Sequence, residues 1–221
     1  MADNRNKTKM NTPKGVAIYP KLNTPDTKFD PAGKYTTKLQ LAGNDADVQA
    51  FVSKLEAIRD EFFDQVTADL IKDKKAALAK ELGKDAVIKV ERDQETGDET
   101  GNLIFSASMK ASGVRKDGST WTQKPDLFDG KGNKLTNPPA IWGGSELRLS
   151  VEVEPFVNQT SKKVALSVRL KAAKIIKLRS GGAGDASDYG FDEDEGEEIA
   201  NMTDESPFGD EGVNSAQHDD L

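Results

Sequence analysis

Hydrophobic and polar residues alternate along much of this chain. In KYTTKLQL (34–41), Tyr35, Thr37, Leu39 and Leu41 point one way, while Lys34, Thr36, Lys38 and Gln40 point the other. In LIFSASMKAS (103–112), Leu103, Phe105, Ala107 and Met109 share one side, with Ser106, Ser108 and Lys110 opposite. ELRLSVEVE (146–154) turns Leu147, Leu149, Val151 and Val153 inward and Arg148 and Ser150 outward. KVALSVRLK (163–171) repeats this with Val164, Leu166, Val168 and Leu170 against Ser167, Arg169 and Lys171. A period of two marks a strand with one buried face. Shorter segments at 14–20, 86–92 and 173–178 also read as strands. Turn chemistry joins them: DQETGDETGN (93–102), an Asp-Gly turn inside VRKDGSTW (114–121), and Asn158–Lys162. The stretches 21–33 and 122–145, marked by Pro and Gly, read as loops.

Only residues 45–82 keep a helical period. Val48, Phe51, Val52, Leu55, Ile58, Phe62, Val66 and Leu70 recur at steps of three and four. Asn44 or Asp45 caps the start, Gly83 ends the pattern, and a break near Lys72–Lys75 divides it into two helices. The stripe does not hold a heptad, so it predicts packing on a sheet and not a coiled coil. Six or seven hairpin-linked strands with one helical insert predict a mainly β chain built as a small closed or partly open antiparallel barrel.

Charge divides the 221 residues unevenly. Residues 182–221 hold 14 Asp and Glu and no Lys or Arg; the residues before them hold 31 basic and 24 acidic side chains, a charge of +7. The expected organisation is a disordered segment 1–13, a folded domain 14–180 with its helical insert at about 45–82, and a disordered acidic tail 181–221. With no cysteine, and with His218 as the one histidine, disulfides, thiol catalysis, His-based metal sites and Ser–His–Asp triads are excluded. No apolar run reaches the roughly 20 residues of a membrane span. The first residues lack the apolar core of a signal peptide. The expectation is a cytoplasmic protein, away from membranes.

Catalytic and nucleotide motifs fail on inspection. An EF-hand at Asp93 is broken by Gly97, Asp98 and Ile104. A Walker loop at Gly33-Lys34 is broken by Lys28 and Tyr35, and Gly130-Lys131-Gly132 lacks the third glycine of a dinucleotide fingerprint. The chain therefore reads as a non-enzyme with no cofactor and no metal.

What remains is a basic surface. Lys34, Lys38, Lys110, Arg148, Arg169 and Lys171 project outward from several strands, and Arg115, Lys116 and Lys124 flank the Asp-Gly hairpin. Singly, each is an ordinary solvated side chain. Together they make a surface that tracks a phosphate backbone. Single-strand binders also need aromatic faces for bases. Trp121, among those cations, is the first candidate and Trp142 the second; Tyr19, Tyr35, Phe128 and Phe156 are further ones. In the tail, Asp192, Glu193, Asp194, Glu195, Asp219, Asp220 and the terminal Leu221 read as a partner-binding segment that also competes with nucleic acid for the basic body.

These residues resemble a known family. The stretch PPAIWGGSELRLSVEVEPF (138–156), the helix between early strands, the hairpin at 158–162 and the glycines before the acids are similar to the single-stranded DNA-binding proteins of tailed bacteriophages. Those proteins are of OB-fold type with an acidic C-terminal tail. Relatives often end in an aromatic residue, where this chain has Leu221. The resemblance implies an OB-fold-like barrel of five or slightly more strands. It implies a non-enzymatic protein of DNA replication, recombination and repair in the infected cell. Such a protein coats and protects single-stranded DNA largely without regard to sequence. It recruits polymerase, primase–helicase or nuclease through its tail, and some members form homodimers. The competing reading is a protein-interaction module whose acidic tail binds basic partner proteins. A carboxylate-built, metal-dependent nuclease lacks a spaced acidic set.

Overall fold

The computed structural model describes residues 7–179. The expectations for the first six residues and for the acidic tail lie outside them. Five strands form a ring: β2 (Gly15–Asp26), β3 (Lys34–Ala42), β6 (Glu99–Lys110), β11 (Lys163–Lys177) and β10 (Glu146–Asn158). β2 pairs with β3, β3 with β6, β11 with β10, and β10 returns to β2 at Glu146 and Leu147; the circle closes where β6 meets β11. Four of these pairings are antiparallel and the β6–β11 meeting is parallel, through Arg169 and Ser108. Parity requires it, since an odd ring cannot alternate direction throughout. The result is a mainly β, OB-fold-like barrel with an inserted helix.

Alternation puts the core where the pattern predicts. Leu39, Leu41, Leu147, Val151, Val153, Val164 and Leu170 are fully enclosed, and Thr37, Phe105, Ala107 and Met109 join them. The helix α1 (Ala46–Lys72) starts under Asp45, whose carboxylate accepts from the backbone N–H of Asp47 at 2.7 Å and of Val48 at 3.4 Å. Its buried residues are Val48, Phe51 and Leu55, all in the first half. Phe51 meets Phe105 edge to face with ring centres 5.1 Å apart. Beyond Leu55 the stripe is half-buried or exposed, so only part of the apolar face packs on the barrel. The expected break is present: α1 stops at Lys72, Lys74 takes φ 61°, and α2 (Ala76–Glu81) follows. No helix among the described residues is long and apolar enough to cross a membrane.

The structure revises several local expectations. Residues 8–11, read as disordered, form β1 (Thr8–Asn11), which pairs with β10 from Asn11↔Ser150 to Thr8↔Val153. A sheet edge with free backbone groups recruits even this polar segment, and the pairing stops before Pro155, which has no N–H to donate. The segment 173–178 is not a separate strand but the end of β11. There Ser150 faces Ala172 while Val151 faces Leu170, so Lys171 is the extra residue of a β-bulge. The bulge shifts the phase of burial: Leu170 points in, and so do Ala173 and Ile175. The 122–145 loop contains β9 (Asp126–Phe128), laid parallel to β11 at Ala172–Lys174. β4 (Gly83–Lys84) also runs parallel to β11, at Lys163 and Val164. β5 (Lys89–Arg92) pairs with β6.

Candidate nucleic-acid interface

The outer face of β3 and β6 is set by their register. Lys34 stands directly opposite Lys110, Thr36 opposite Ser108, and Lys38 opposite Ser106. Like charges facing each other across an antiparallel pair destabilise a sheet. Neither lysine has a carboxylate within ion-pair distance among the described residues. Past Lys110 the chain forms a two-stranded hairpin, β7 (Ser112–Val114) and β8 (Thr120–Thr122), with Gly118 at φ 82° in the Asp-Gly turn. This hairpin folds over the end of the β3–β6 face. Gln123 fixes its exit, donating from Nε2 to the Lys110 carbonyl at 2.8 Å. The outcome is an open groove of about 660 Å³ that brings together Lys34, Ser108, Lys110, Arg115, Trp121 and Arg169. A neighbouring groove of about 360 Å³ shares Lys34 and Ser108 and adds Lys38 and Tyr19.

Each cation has its own setting. Arg115 lies along the hairpin, donating from Nη1 to Ser119 Oγ at 3.2 Å and to the Thr120 carbonyl at 3.3 Å. Arg169 donates to Glu152 Oε1 at 3.4 Å and is the one groove cation with a carboxylate partner among the described residues. At the hairpin tip, Asp117 accepts from the Ser119 hydroxyl at 2.6 Å and from its backbone N–H at 2.9 Å. These bonds hold its carboxyl below the usual range, so it stays ionised beside Lys116. Lys116 and Lys124 are exposed next to the groove.

The indole of Trp121 is half-buried and rests on a glycine. Trp121 pairs with Gly113 across the hairpin, and a β-carbon on Gly113 would fall 2.6 Å from Trp121 Cζ2 and 2.8 Å from Cε2. The missing side chain is the seat of the ring. Gly113→Ala is therefore expected to expel the indole and weaken oligonucleotide binding several-fold while the barrel melts as before; an unchanged tryptophan emission spectrum and unchanged affinity would contradict this.

Four predicted cations are absent from the groove lining: Lys116 and Lys124, exposed by the hairpin, and Arg148 and Lys171. Arg148 lines a separate cavity of about 680 Å³ between β1 and α1, with Lys9 and Lys54. Period two sends Arg148 outward, but outward from β10 is toward the helix. Lys171, displaced by its bulge, stands exposed outside the groove lining. Trp142, half-exposed, lies in a third groove of about 470 Å³ with Tyr19. Tyr35 is core, at 8% exposure, because it shares the parity of Leu39. Ser108 and Ser167, which alternation turns outward beside the cations, also line the main groove, as does Gln123, whose loop position carries no periodic signal.

A family model described as single-stranded DNA-binding protein, bacteriophage T7, matches residues 14–178. No curated protein matches the sequence. Among solved structures, gp2.5, a single-stranded DNA-binding protein encoded by bacteriophage T7, is 20% identical with a TM-score of 0.60; the likeness covers 88% of this chain and 100% of that one. The C-terminally truncated single-stranded DNA-binding protein of bacteriophage Enc34 is 16% identical with a TM-score of 0.47, covering 78% of this chain and 87% of that one. The Enc34 protein in complex with single-stranded DNA is 16% identical with a TM-score of 0.44, covering 78% and 88%. The T7 likeness is one of fold, whereas the family model spans most of the sequence from the first barrel strand to the last; the chain belongs to the bacteriophage T7 family of single-stranded DNA-binding proteins.

Proposed function

We propose that this protein binds single-stranded DNA along the β3–β6 face, without catalysis and largely without sequence preference. It coats and protects strands exposed during phage replication, recombination and repair in the host cytoplasm. The observation that carries the reading is the Lys34–Lys110 pair, two cations facing each other in one groove with Arg115 and Trp121, neither in an ion pair among the described residues although Asp26 lies across from Lys34 on β2. A phosphate between them turns a repulsion into two attractions. The acidic tail, from its charge alone, competes for the same cations and offers polymerase, primase–helicase or nuclease a docking segment. Self-association into a dimer belongs to the same proposal.

The test is a titration of tryptophan fluorescence with oligo(dT) and with duplex of equal length, at several salt concentrations. Quenching by the single strand and not the duplex is expected. Lys34, Lys38, Lys110, Arg115 and Arg169 are the groove cations. If all five engage, with Lys34 and Lys110 sharing one phosphate, four phosphates are neutralised and log K falls with log salt at a slope of about −2.8, taking about −0.7 per neutralised phosphate. A chain ending at Gly181 binds more tightly at low salt, and the gain disappears at high salt. Absence of binding by the truncated chain, with anisotropy of labelled DNA as the second readout, overturns the proposal.

A further inference from the structure

Tyr19 sits in an unusual place. β2 faces β3 through Ile18↔Lys38 and then Lys21↔Thr36, so Tyr19 and Pro20 together oppose the single residue Thr37. That is a bulge, and its effect shows in the burial. Ala17 and Leu22 are both inside, at 1% and 2% exposure, although five positions separate them. Unbroken alternation would send Tyr19 into the core with Ala17. The bulge turns it out to 80% exposure instead. Tyr19 adopts φ 47°, a left-handed conformation rare for an aromatic residue and suited to glycine. Strain of this kind persists where the exposed group has a use.

The ring stands between two grooves. On one side is the groove that holds the two cations Lys34 and Lys38, with Ser106, Ser108, Ile18 and Ala107 in its lining. On the other is the groove of about 470 Å³ walled by Pro20, Leu22, Ala140, Ile141 and Trp142, whose lining has one cation, Lys21, and no acid. Tyr19 lines both. The far wall is fixed in advance. Asn23 donates from Nδ2 to the Pro139 carbonyl at 2.9 Å and accepts from the Ile141 N–H at 3.1 Å. Gly144 donates to the Ala17 carbonyl at 2.9 Å, and Ala17 donates to the Ser145 carbonyl at 2.8 Å. The loop carrying Trp142 is thus tied to the strand carrying Tyr19.

Resting on the proposed function, we infer that Tyr19 is a stacking wedge that carries the single strand out of the cationic groove into a second, base-accepting subsite ending at Trp142. The chemistry divides accordingly. The first groove supplies charge for phosphates. The second supplies two aromatic faces and apolar walls for bases, at low electrostatic cost. Because Asn23 and the Gly144–Ala17 bond hold the subsite open, little ordering is needed on binding.

Tyr19→Gly separates the wedge from the backbone turn, since glycine keeps the left-handed conformation and loses only the ring. The variant is expected to melt no lower than wild type. Its affinity for an oligo(dT) of about 12 residues falls about tenfold, while one of about 4 residues, enough for the first groove alone, binds as before. Tyr19→Phe restores the longer ligand. Tyr19→Gly binding both lengths like wild type overturns the wedge. Equal loss on both lengths overturns the second subsite, because Tyr19 would then serve the first groove only. If wild type binds neither length, the single-strand reading itself fails, a result distinct from either.

Discussion

Replacing Trp121 with alanine weakens oligo(dT) binding by about 1–3 kcal/mol, roughly five- to 150-fold, the range for losing one stacked base. The ring is held by its glycine neighbour at the groove shared by Lys34, Lys110 and Arg115. Trp121→Phe retains most of the affinity, because a flat face remains. A double variant with Gly113→Ala distinguishes stacking from hairpin repair: if Gly113→Ala acts only by moving the indole, adding it to Trp121→Ala costs nothing further. Isothermal titration at fixed salt reads all four proteins. Wild-type affinity in Trp121→Ala removes the residue from the site and leaves the cations as the whole of the interface.

Replacing Phe105 with alanine costs about 3–5 kcal/mol of stability, the range for a fully buried phenylalanine. Phe105 is 2% exposed, and its ring meets Phe51 from the helix edge to face. The substitution empties the joint between α1 and the barrel. At about 2–4 °C per kcal/mol for a chain of this size, thermal unfolding drops by roughly 10 °C. Phe62→Ala, in the half-buried distal part of α1, costs much less. Equal shifts from the two would mean that the helix is gripped along its whole length, contrary to the burial. Chemical denaturation at pH 7, followed by far-ultraviolet circular dichroism, measures both.

The barrel was legible because most of its strands obey a simple parity. Leu147, Leu149, Val151 and Val153, or Tyr35, Thr37, Leu39 and Leu41, need only alternation to be sorted into inside and outside, and the structure buries all of them. Parity fails where a residue is inserted. The bulge at Lys171 and the one at Tyr19–Pro20 each reverse the phase along a strand, and nothing in the residue types marks the slip. β1 was invisible for a different reason. Thr-Lys-Met-Asn has no apolar face, and it is a strand only because β10 offers an edge. The candidate site was half legible. Lys34, Lys38, Lys110, Arg115, Trp121 and Arg169 do converge, because β3, β6 and the hairpin are consecutive in space. Arg148 does not converge, because on a closed barrel being outside does not fix a direction. Tyr19 drew notice as an aromatic but not as a junction, since a Tyr-Pro pair reads as the end of a strand and not as its bend.

Two joints of the barrel are thinner than the rest: β10 meets β2 only at Glu146 and Leu147, and the other is where β6 meets β11. The edge of β11 turned away from β10 is taken in succession by β4, β6 and β9, and β6 holds it through the single bridge of Arg169 and Ser108. The groove lies over this joint, with Ser108 and Lys110 on one lip and Ser167 and Arg169 on the other. A polyanion laid there acts as a hoop around staves that are barely fastened to each other. At a free concentration one hundred times its dissociation constant, such a ligand contributes about 2.7 kcal/mol to the folded state by mass action. Under the proposed binding mode the cargo becomes a fastener: a strand laid in the groove holds the barrel shut at one of its thinnest joints.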